Sequence, residues 1–424
     1  MVSETNHCNI GKSHLYSVCK NRNHDGVNKM DIFQRCYDFT AADEAIEKGV
    51  YPYFHAIETK QDTEVTMEGR NTIMLGSNNY LGLTSDPRCI EAGREALDQY
   101  GTGCSGSRFL NGTLKLHLEL EEKLADFVNK ESALTFSTGF QTNLGIISSI
   151  VTKGDFILSD NENHASIVDG CRLSFARTHK FKHSDMSELE RLLRRLPTNR
   201  GKLIITDGVF SMSGEICNLP DIVELAKKYK ARIMVDDAHA FGMIGEGGRG
   251  TASHFGLEDE VDIIMSTFSK SMASLGGFIA AEERVINYVK HTSRPFIFSA
   301  SIPPANAAVA GMALDILKED PERPKRLIKV SDYMRKGFKE RNIPIIDGET
   351  AIIPVMTYNN DRTFLITKML LENGVYVNPV ICPAVKPGEC LLRTSYTATH
   401  TTEQLDKALD VFSAVFAKAD EMSQ

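Results

Sequence analysis

An acid and a histidine stand together after one apolar run of this sequence. Asp236 closes the run Arg232–Asp236, and His239 follows three residues later. A carboxylate at the buried end of a strand is tolerated when a cation pairs with it. Such a pair at the carboxyl edge of a sheet indicates a functional site. A helix N-cap formed by Asp237 is compatible with this interpretation.

A lysine lies among small hydroxyl residues after the next apolar run, 262–266. Lys270 is flanked by Thr267 and Ser269. A lysine can form a Schiff base with a carbonyl group when burial or a neighbouring cation deprotonates its amine. The two hydroxyls suit phosphate binding. For this segment taken alone, an ordinary solvated loop lysine is the favoured alternative.

Two further turns carry candidate ligand-binding groups. Gly139 and Phe140 open a helical pattern after a run of small residues, where backbone amides can hold a phosphate. His164 follows the apolar run 156–158 and could stack on an aromatic ligand. An ordinary strand-to-helix turn and a capping histidine are the alternatives, and each is favoured when its segment is considered alone.

An arginine lies inside an apolar segment near the C-terminus. Arg393 is expensive to desolvate between Leu392 and Thr394 unless it meets an anion, and a substrate carboxylate would serve. An internal salt bridge is an equally good alternative. The glycine-rich segment 242–250 superficially resembles a dinucleotide fingerprint, but it neither follows a strand nor opens a long helix, so NAD binding is excluded.

The region that must position these groups alternates between short Val- and Ile-rich runs and amphipathic helices. Strands are predicted at 202–207, 232–236 and 262–266, with a helix that has Pro220 near its start. This alternation predicts a mostly parallel sheet covered by helices on both faces. In such α/β sheets the chemistry collects at the carboxyl ends of the strands.

The composition shifts along the chain, which predicts a division into parts. These are a mobile N-terminal extension at 1–30, a helix-and-hairpin segment at 31–84, a large α/β domain at 85–310 and a small α+β domain at 311–424. A hairpin is expected at 64–74, and a helical pattern covers 30–48. Thr401 and Gln404 suit a capping box at the start of the last helix.

The overall composition excludes several classes of protein. The 424 residues are 42% apolar and carry a formal net charge of 48 − 56 = −8, which disfavours nucleic-acid binding. The sequence contains no apolar run long enough for a membrane span, and its start lacks the apolar core of a secretory signal. The nine cysteines include no C-x-x-C pair. We therefore expect a cytoplasmic protein with reduced thiols and no metal site.

Considered together, the candidate residues form a set with one chemical logic. A strand-end aspartate, a stacking histidine, a phosphate-binding turn and a lysine make a pocket for pyridoxal phosphate (PLP). From about Gly49 onward the sequence resembles the α-oxoamine synthases, PLP enzymes that join an amino acid to an acyl-CoA with loss of CO2. The segments that carry the resemblance are SNNYLGL, GTGCSGSRFLNGT, FSTGF, NHASIVDG, DGVFSMSGE, VDDAHAFG, STFSKSMASLGGF and LLRTSYTATHT.

Within that family, the segment around the lysine is most similar to the serine palmitoyltransferases. In 8-amino-7-oxononanoate synthase, 5-aminolevulinate synthase and 2-amino-3-ketobutyrate CoA ligase the lysine usually follows a Leu-Gly pair, which is absent here. The segment 378–383 also resembles the soluble bacterial serine palmitoyltransferases. One departure is Asp237, where the family often carries Glu.

The resemblance implies a fold of the PLP-dependent aminotransferase type (fold type I). It also implies a condensation of L-serine with a long-chain acyl-CoA, palmitoyl-CoA, to 3-ketodihydrosphingosine, CoA and CO2, the first step of sphingolipid synthesis. Another α-oxoamine synthase activity, such as those of 8-amino-7-oxononanoate synthase or 2-amino-3-ketobutyrate CoA ligase, is an alternative. A non-catalytic regulatory subunit is a remoter one. A lipid-like product makes peripheral membrane contact conceivable.

The resemblance also implies a role for each candidate residue. Lys270 would hold PLP and act as the base at the serine Cα, and Asp236 would keep the pyridine nitrogen protonated. His164 would stack on the ring, and His239 would contact its phenolic oxygen or the substrate. The phosphate would be bound by Gly139, Phe140, Thr267 and Ser269, and the substrate carboxylate by Arg393. In a homodimer with shared active sites, Asn79, Ser299 and Ala300 would reach the partner subunit's cofactor.

Overall fold

The computed structural model describes residues 31–422, and the predicted mobile extension 1–30 lies outside that range. The helices described are α1 (Gln34–Tyr37), α2 (Ala41–Glu47), α3 (Pro87–Tyr100), α4 (Lys115–Phe127), α5 (Gly139–Ile150), α6 (Ala165–Leu173), α7 (Met186–Arg195), α8 (Leu219–Tyr229), α9 (Thr251–Phe255), α10 (Glu283–Thr292), α11 (Arg294–Ile297), α12 (Pro304–Glu319), α13 (Arg323–Glu340), α14 (Asn360–Glu372) and α15 (Thr402–Glu421). The strands described are β1 (Glu64–Met67), β2 (Arg70–Met74), β3 (Ser132–Phe136), β4 (Phe156–Asp160), β5 (Arg177–Phe181), β6 (Lys202–Asp207), β7 (Arg232–Asp236), β8 (Ile263–Thr267), β9 (Gly277–Ala281), β10 (Ile352–Tyr358), β11 (Val375–Tyr376), β12 (Asn378–Val380) and β13 (Cys390–Ser395).

A seven-stranded sheet forms the centre of the molecule, with the strand order β3-β9-β8-β7-β6-β4-β5. The pairs from β8 through β5 are parallel, whereas β9 runs antiparallel to both β8 and β3. The predicted mostly parallel α/β sheet is therefore confirmed. The antiparallel strand β9 was not predicted.

The strands of this sheet are apolar on both faces because helices cover both. Alternate residues of each strand enter different clusters, as the period of a strand requires. Leu158, Ile204 and Ile264 pack into the cluster beneath α4, α8 and α12. Their chain neighbours Ile157 and Ile263 pack into the cluster beneath α5, α6 and α10. Such two-sided burial produces the unbroken apolar runs seen in the sequence.

The C-terminal part contains a second sheet of three antiparallel strands, in the order β10-β13-β12. Its last helix, α15, begins with the predicted capping box between Thr401 and Gln404, and its apolar stripe is buried. The predicted boundary at 310/311 falls inside α12, a continuous helix that packs on α3 and α4. The four-part division of the chain stays a prediction.

The predicted hairpin is confirmed. Strands β1 and β2 pair antiparallel across a turn at Glu68 and Gly69, both of which have positive φ. β2 also pairs in parallel with β11, so this N-terminal hairpin is joined to the C-terminal part of the chain. The helical pattern at 30–48 is present as the two short helices α1 and α2, and neither of them buries a side chain. Within 31–422, no helix combines the length and the apolarity that crossing a membrane requires.

Candidate functional site

A cavity of about 270 Å³ opens at the carboxyl ends of β6, β7 and β8. Most of the predicted site residues line it, namely Gly139, Phe140, His164, Asp236, His239, Thr267, Ser269 and Lys270. The cavity is also lined by residues that the sequence did not single out, among them Asn143, Ser166, Asp207, Ser211 and Leu275. The position matches the rule that ligands of α/β sheets bind at the carboxyl edge.

Asp236 ends β7 with its carboxylate buried in the wall of the cavity. It accepts hydrogen bonds from Asn143 Nδ2 at 2.7 Å and from the Ala238 amide at 3.0 Å. The next carboxylate, that of Asp237, accepts instead from the amide and hydroxyl of Thr251, at 3.0 and 2.6 Å. Of these consecutive acids, only Asp236 is therefore directed at the cavity.

His164 is the N-cap residue of α6, and its ring is exposed toward the cavity. Its Nδ1 accepts from the Ser166 amide at 3.3 Å and lies 2.7 Å from the Ser166 hydroxyl. The turn before it is tied to β6 by Asn163 Nδ2, which donates to the Ile205 carbonyl at 2.8 Å. The ring is thus fixed at one edge while its face stays available for stacking. The capping alternative is therefore confirmed, and the stacking role stays a prediction.

Lys270 lies in the turn between β8 and β9, with its amine in the cavity. Burial lowers the pKa of Lys270 to about 8, and the charge of the neighbouring Asp236 carboxylate opposes this effect. A substantial share of the amine is therefore unprotonated slightly above neutral pH, as a nucleophile or a base requires. The solvated-loop alternative does not describe this lysine.

The first turn of α5 lies against the end of β8. A Cβ added to Gly139 would lie 2.6 Å from Thr267 Oγ1, so this close approach requires glycine. Thr267 Oγ1 is 2.9 Å from Ser269 Oγ. The amides of Gly139 and Phe140 belong to the first helical turn and have no partner within the helix. Hydroxyls and free amides at a helix N-terminus make a cradle that suits a phosphate.

Arg393 joins the C-terminal sheet to the cavity wall through neutral groups. Its Nη2 donates to Asn78 Oδ1 at 3.0 Å and to the Tyr80 hydroxyl at 3.1 Å, and its Nε donates to the Ser211 carbonyl. No carboxylate within 31–422 forms an ion pair with it. The internal salt bridge is therefore not formed by the described residues. This buried guanidinium keeps its charge available for an anion.

The Tyr80 hydroxyl connects Arg393 to His239, since it lies 2.7 Å from His239 Nδ1. Burial lowers the pKa of His239 well below its ordinary value, and the charges of Lys270 and Arg393 add to this effect. His239 is thus a neutral hydrogen-bonding group at neutral pH. Asn78 and Tyr80 lie in the segment SNNYLGL, which carries the family resemblance, but no role was predicted for either residue.

Four predicted residues are not among those that line the main cavity. Arg393 contacts its wall through Ser211, and the other three are Asn79, Ser299 and Ala300. The side chain of Asn79 donates to Thr84 Oγ1 at 2.6 Å and accepts from the Leu83 amide at 3.1 Å. Ser299 and Ala300 line a separate small cavity beside Phe296. The role of these three residues at a partner subunit's site stays a prediction. Asn78, rather than Asn79, is the residue of its turn that contacts Arg393 within this chain.

A charged cluster lies against the loop after β6 that carries Ser211, a loop closed by an antiparallel bridge between Val209 and Ile216. His183 lies 3.1 Å from Asp160 Oδ1 and 3.1 Å from Glu215 Oε2, and its ring packs edge-on against Phe210 at 4.3 Å. Burial acts to lower the pKa of His183, but the hydrogen bond to Asp160 and the surrounding carboxylates raise it to about 9. The cluster links the ends of β4 and β5 to the segment that holds the Arg393 guanidinium.

We expect His183→Gln to destabilise the protein in a pH-dependent way. The pKa of His183 in the folded protein, about 9, lies above its ordinary value near 6.5. The protonated His183 therefore stabilises the fold fully below about pH 6.5, and this stabilisation is lost as the pH rises through 9. After discounting for solvent screening, its magnitude is on the order of 1–2 kcal/mol. Thermal unfolding of wild type and variant should differ most at pH 6 and converge near pH 9.5. His254→Gln, at an exposed histidine, is the control. If the unfolding temperatures of wild type and H183Q differ by the same amount at every pH, the assignment is contradicted.

The residues around the cavity fit PLP in kind and in place. The cradle formed by Gly139 and Thr267 suits the phosphate, Asp236 suits a protonated ring nitrogen, and Lys270 suits the aldehyde carbon. Within 31–422, no group of three or more His, Cys, Asp or Glu side chains could hold a metal ion.

Comparison with known proteins agrees with this geometry. Residues 70–412 match the family model described as aminotransferase class I and II. The chain is 51% identical over 394 residues to a serine palmitoyltransferase of Sphingobacterium spiritivorum, covering 93% of this chain and 99% of that protein. It is 44% identical over 369 residues to an 8-amino-7-oxononanoate synthase of Bacillus velezensis, covering 87% of this chain and 94% of that protein.

Solved structures extend the likeness to the fold. A high-resolution structure of SPT with PLP superposes with a TM-score of 0.90 at 37% identity, covering 92% of this chain and 99% of that chain. A serine palmitoyltransferase of Sphingomonas wittichii gives a TM-score of 0.89 at 38% identity with the same coverage. The predicted PLP-dependent aminotransferase-like fold is therefore confirmed. The chain belongs to the aminotransferase class I and II family and, within it, to the α-oxoamine synthases, which are PLP-dependent acyltransferases.

Proposed function

We propose that this chain is a serine palmitoyltransferase that condenses L-serine with palmitoyl-CoA. The products would be 3-ketodihydrosphingosine, CoA and CO2, which makes the reaction the entry step of sphingolipid synthesis. The observation that carries the proposal is a full-length likeness, with 51% identity to a relative named for this activity and 99% of that relative covered. The relative named 8-amino-7-oxononanoate synthase is less similar, at 44% identity, and that activity is the second candidate.

Bound PLP would supply an electron sink for the electron pair left when the serine Cα loses its proton. The Lys270 amine, with a pKa lowered to about 8, is the base in the cavity that can accept this proton and later return one. Asp236 is the buried carboxylate that would hold a positive ring nitrogen, because Asn143 and Ala238 already orient it. His164 would limit the tilt of the ring by contact with its face.

Arg393 is the group we assign to the substrate carboxylate. Its partners within the chain are neutral, so an arriving carboxylate meets a full positive charge that Tyr80, Asn78 and Ser211 hold in position. His239 is neutral at working pH and hydrogen-bonded through Tyr80. A carboxylate on Arg393 would therefore be placed beside a neutral donor-acceptor group. This arrangement fixes the orientation of serine before proton transfer.

The test is the release of CoA thiol from palmitoyl-CoA by the purified, PLP-loaded protein, with L-serine, L-alanine or glycine supplied separately. We expect release with serine well above that with the other two amino acids. A preference for alanine or glycine would overturn the substrate and keep the reaction type. Release from pimeloyl-CoA with alanine, but not from palmitoyl-CoA with serine, would favour the second candidate. Failure with every pair would favour a non-catalytic subunit.

We further propose that the active unit is a homodimer. Large apolar side chains are exposed around the segment that contains Ser299 and Ala300, as Phe298 is 78% and Leu110 76% accessible. In the N-terminal segment, Phe54 is 94% accessible. A second copy would cover such surfaces and could bring Ser299 and Ala300 to the partner's cofactor, as the family resemblance implies.

Activity should therefore fall when the protein is diluted below its dimer dissociation constant. The measurement is specific activity against concentration, with the mass of the particle followed by light scattering or mass photometry. We expect the loss of activity to track the loss of the dimer. Constant specific activity in a sample shown to be monomeric would refute the shared-site proposal.

A further inference from the structure

Two carboxylates occupy neighbouring positions at the carboxyl edge of the central sheet, and the proposed mechanism uses only one of them. Asp207 ends β6 and Asp236 ends β7, and the two are register partners on adjacent parallel strands. Both side chains are almost fully buried, with 4% and 3% exposure, and both line the cavity. In parallel strands, register partners point to the same face. Two buried acids so placed cannot both be ionised without strong repulsion.

The hydrogen bonds distinguish the two acids. Asp236 accepts from Asn143 Nδ2 at 2.7 Å and from the Ala238 amide at 3.0 Å, so both of its oxygens meet donors. The Asp207 side chain accepts only one hydrogen bond from the described residues, from the His164 amide to Oδ2 at 3.0 Å. Donors stabilise the charged form of a carboxylate. The site is therefore arranged so that Asp236 carries the negative charge.

The groups around Asp207 come from four elements. They are Asp236 on β7, Lys270 in the turn after β8, His164 at the start of α6 and Asp160 at the end of β4. Lys270 is the one cation among them, and Asp236 competes for it. Burial, and after it the Asp236 charge, raise the pKa of Asp207 well above its ordinary value. This direction agrees with the hydrogen-bond pattern.

We propose that Asp207 is a positioning residue that acts as an uncharged carboxylic acid: it anchors the backbone of His164 and leaves Asp236 as the one ionised carboxylate among the described side chains that line the cavity. The anchored backbone determines where the His164 ring stands over the bound cofactor. An ionised Asp207 would compete with Asp236 for the positive ring nitrogen and for Lys270. The inference rests on the PLP site of the family and is independent of which amino acid or acyl-CoA is used.

The experiment uses the PLP-loaded protein and the variants Asp207→Asn and Asp207→Ala. The amide of asparagine keeps an oxygen that can accept from the His164 amide and carries no charge. For D207N we therefore expect PLP affinity within about 3-fold of wild type and an unchanged pH midpoint of the PLP absorbance. For D207A, loss of the acceptor should weaken PLP binding about 10-fold and reduce the induced circular dichroism of the bound cofactor.

A direct measurement of the proton complements the variants. Infrared difference spectra of wild type minus D207N should contain the carbonyl stretch of a protonated carboxyl group at neutral pH. The difference with the exposed control Asp221→Asn should contain carboxylate bands and lack this carbonyl stretch. A carboxylate band for Asp207, or a shift of about one unit or more in the pH midpoint of D207N, would overturn the proposal. None of these readouts depends on turnover with serine, so they fail or succeed separately from the proposed function.

Discussion

Replacing Lys270 with alanine should abolish turnover and leave no cofactor that borohydride can fix covalently to the protein. The substitution removes the cavity amine that would both attach PLP and act as the base at the serine Cα. Because these two contributions are lost together, we expect the rate of CoA release to fall roughly 10⁴-fold or more. The measurements are CoA release and the mass of the protein after borohydride treatment.

The matched control is Lys290→Ala, at an exposed lysine of α10. It should behave as wild type in both assays. Circular dichroism and thermal unfolding should show that K270A keeps its fold, since the lysine lies in a turn after β8 rather than in the apolar core. Turnover near the wild-type rate in K270A would mean that another amine holds the cofactor, and the site assignment would be wrong.

Asp236→Asn should lower kcat by about 10²–10³-fold while the cofactor stays attached. The amide keeps the shape and one acceptor oxygen, but it removes the charge that would hold the ring nitrogen protonated. A loss of this size is typical when one preorganised electrostatic group is removed from an active site. The measurements are kcat for CoA release and the absorbance spectrum of the bound cofactor.

Asp237→Asn is a close control, because it makes the same chemical change one residue further along the chain. The Asp237 carboxylate contacts Thr251 and points away from the cavity. D237N should therefore keep kcat within a few-fold of wild type, even if it unfolds at a lower temperature. Equal losses of kcat in D236N and D237N would show that local stability, rather than the ring nitrogen, explains the effect.

The sequence predicted the chemistry of the site better than its geometry. Lys270, Asp236 and His164 were found because each follows an apolar run, and strands of a parallel sheet end at one edge. Asp207 also follows an apolar run, at the end of 202–207, but the sequence analysis predicts no role for it beyond ending the strand. Tyr80 was missed because its contact with His239 spans 159 positions of sequence, and no local pattern shows such a contact.

Elements were predicted well where the hydrophobic period was long and strong, as in α15 and β6. The strand β9 was missed because Gly277–Ala281 is a short run in which three of the five residues are glycine or alanine, so its position between β8 and β3 decides that it is a strand. The helix α12 crosses the predicted boundary at 310/311, because the shift in composition there falls within one continuous helix. Tertiary packing therefore decides the structure of β9, whereas in α12 the alanines favour a helix by local propensity.

The pairing of β2 with β11 has a consequence for how the protein is made on the ribosome. About 300 residues separate Met74 from Val375, so the hairpin leaves the ribosome long before its partner strand is synthesised. At typical translation rates of about 5–20 residues per second, that interval is roughly 15–60 s. Throughout it, the free edge of β2 and the apolar side chains behind it are open to other nascent chains. Because β11 is among the last strands to be synthesised, this edge depends during synthesis on chaperone binding or on fast translation for its protection.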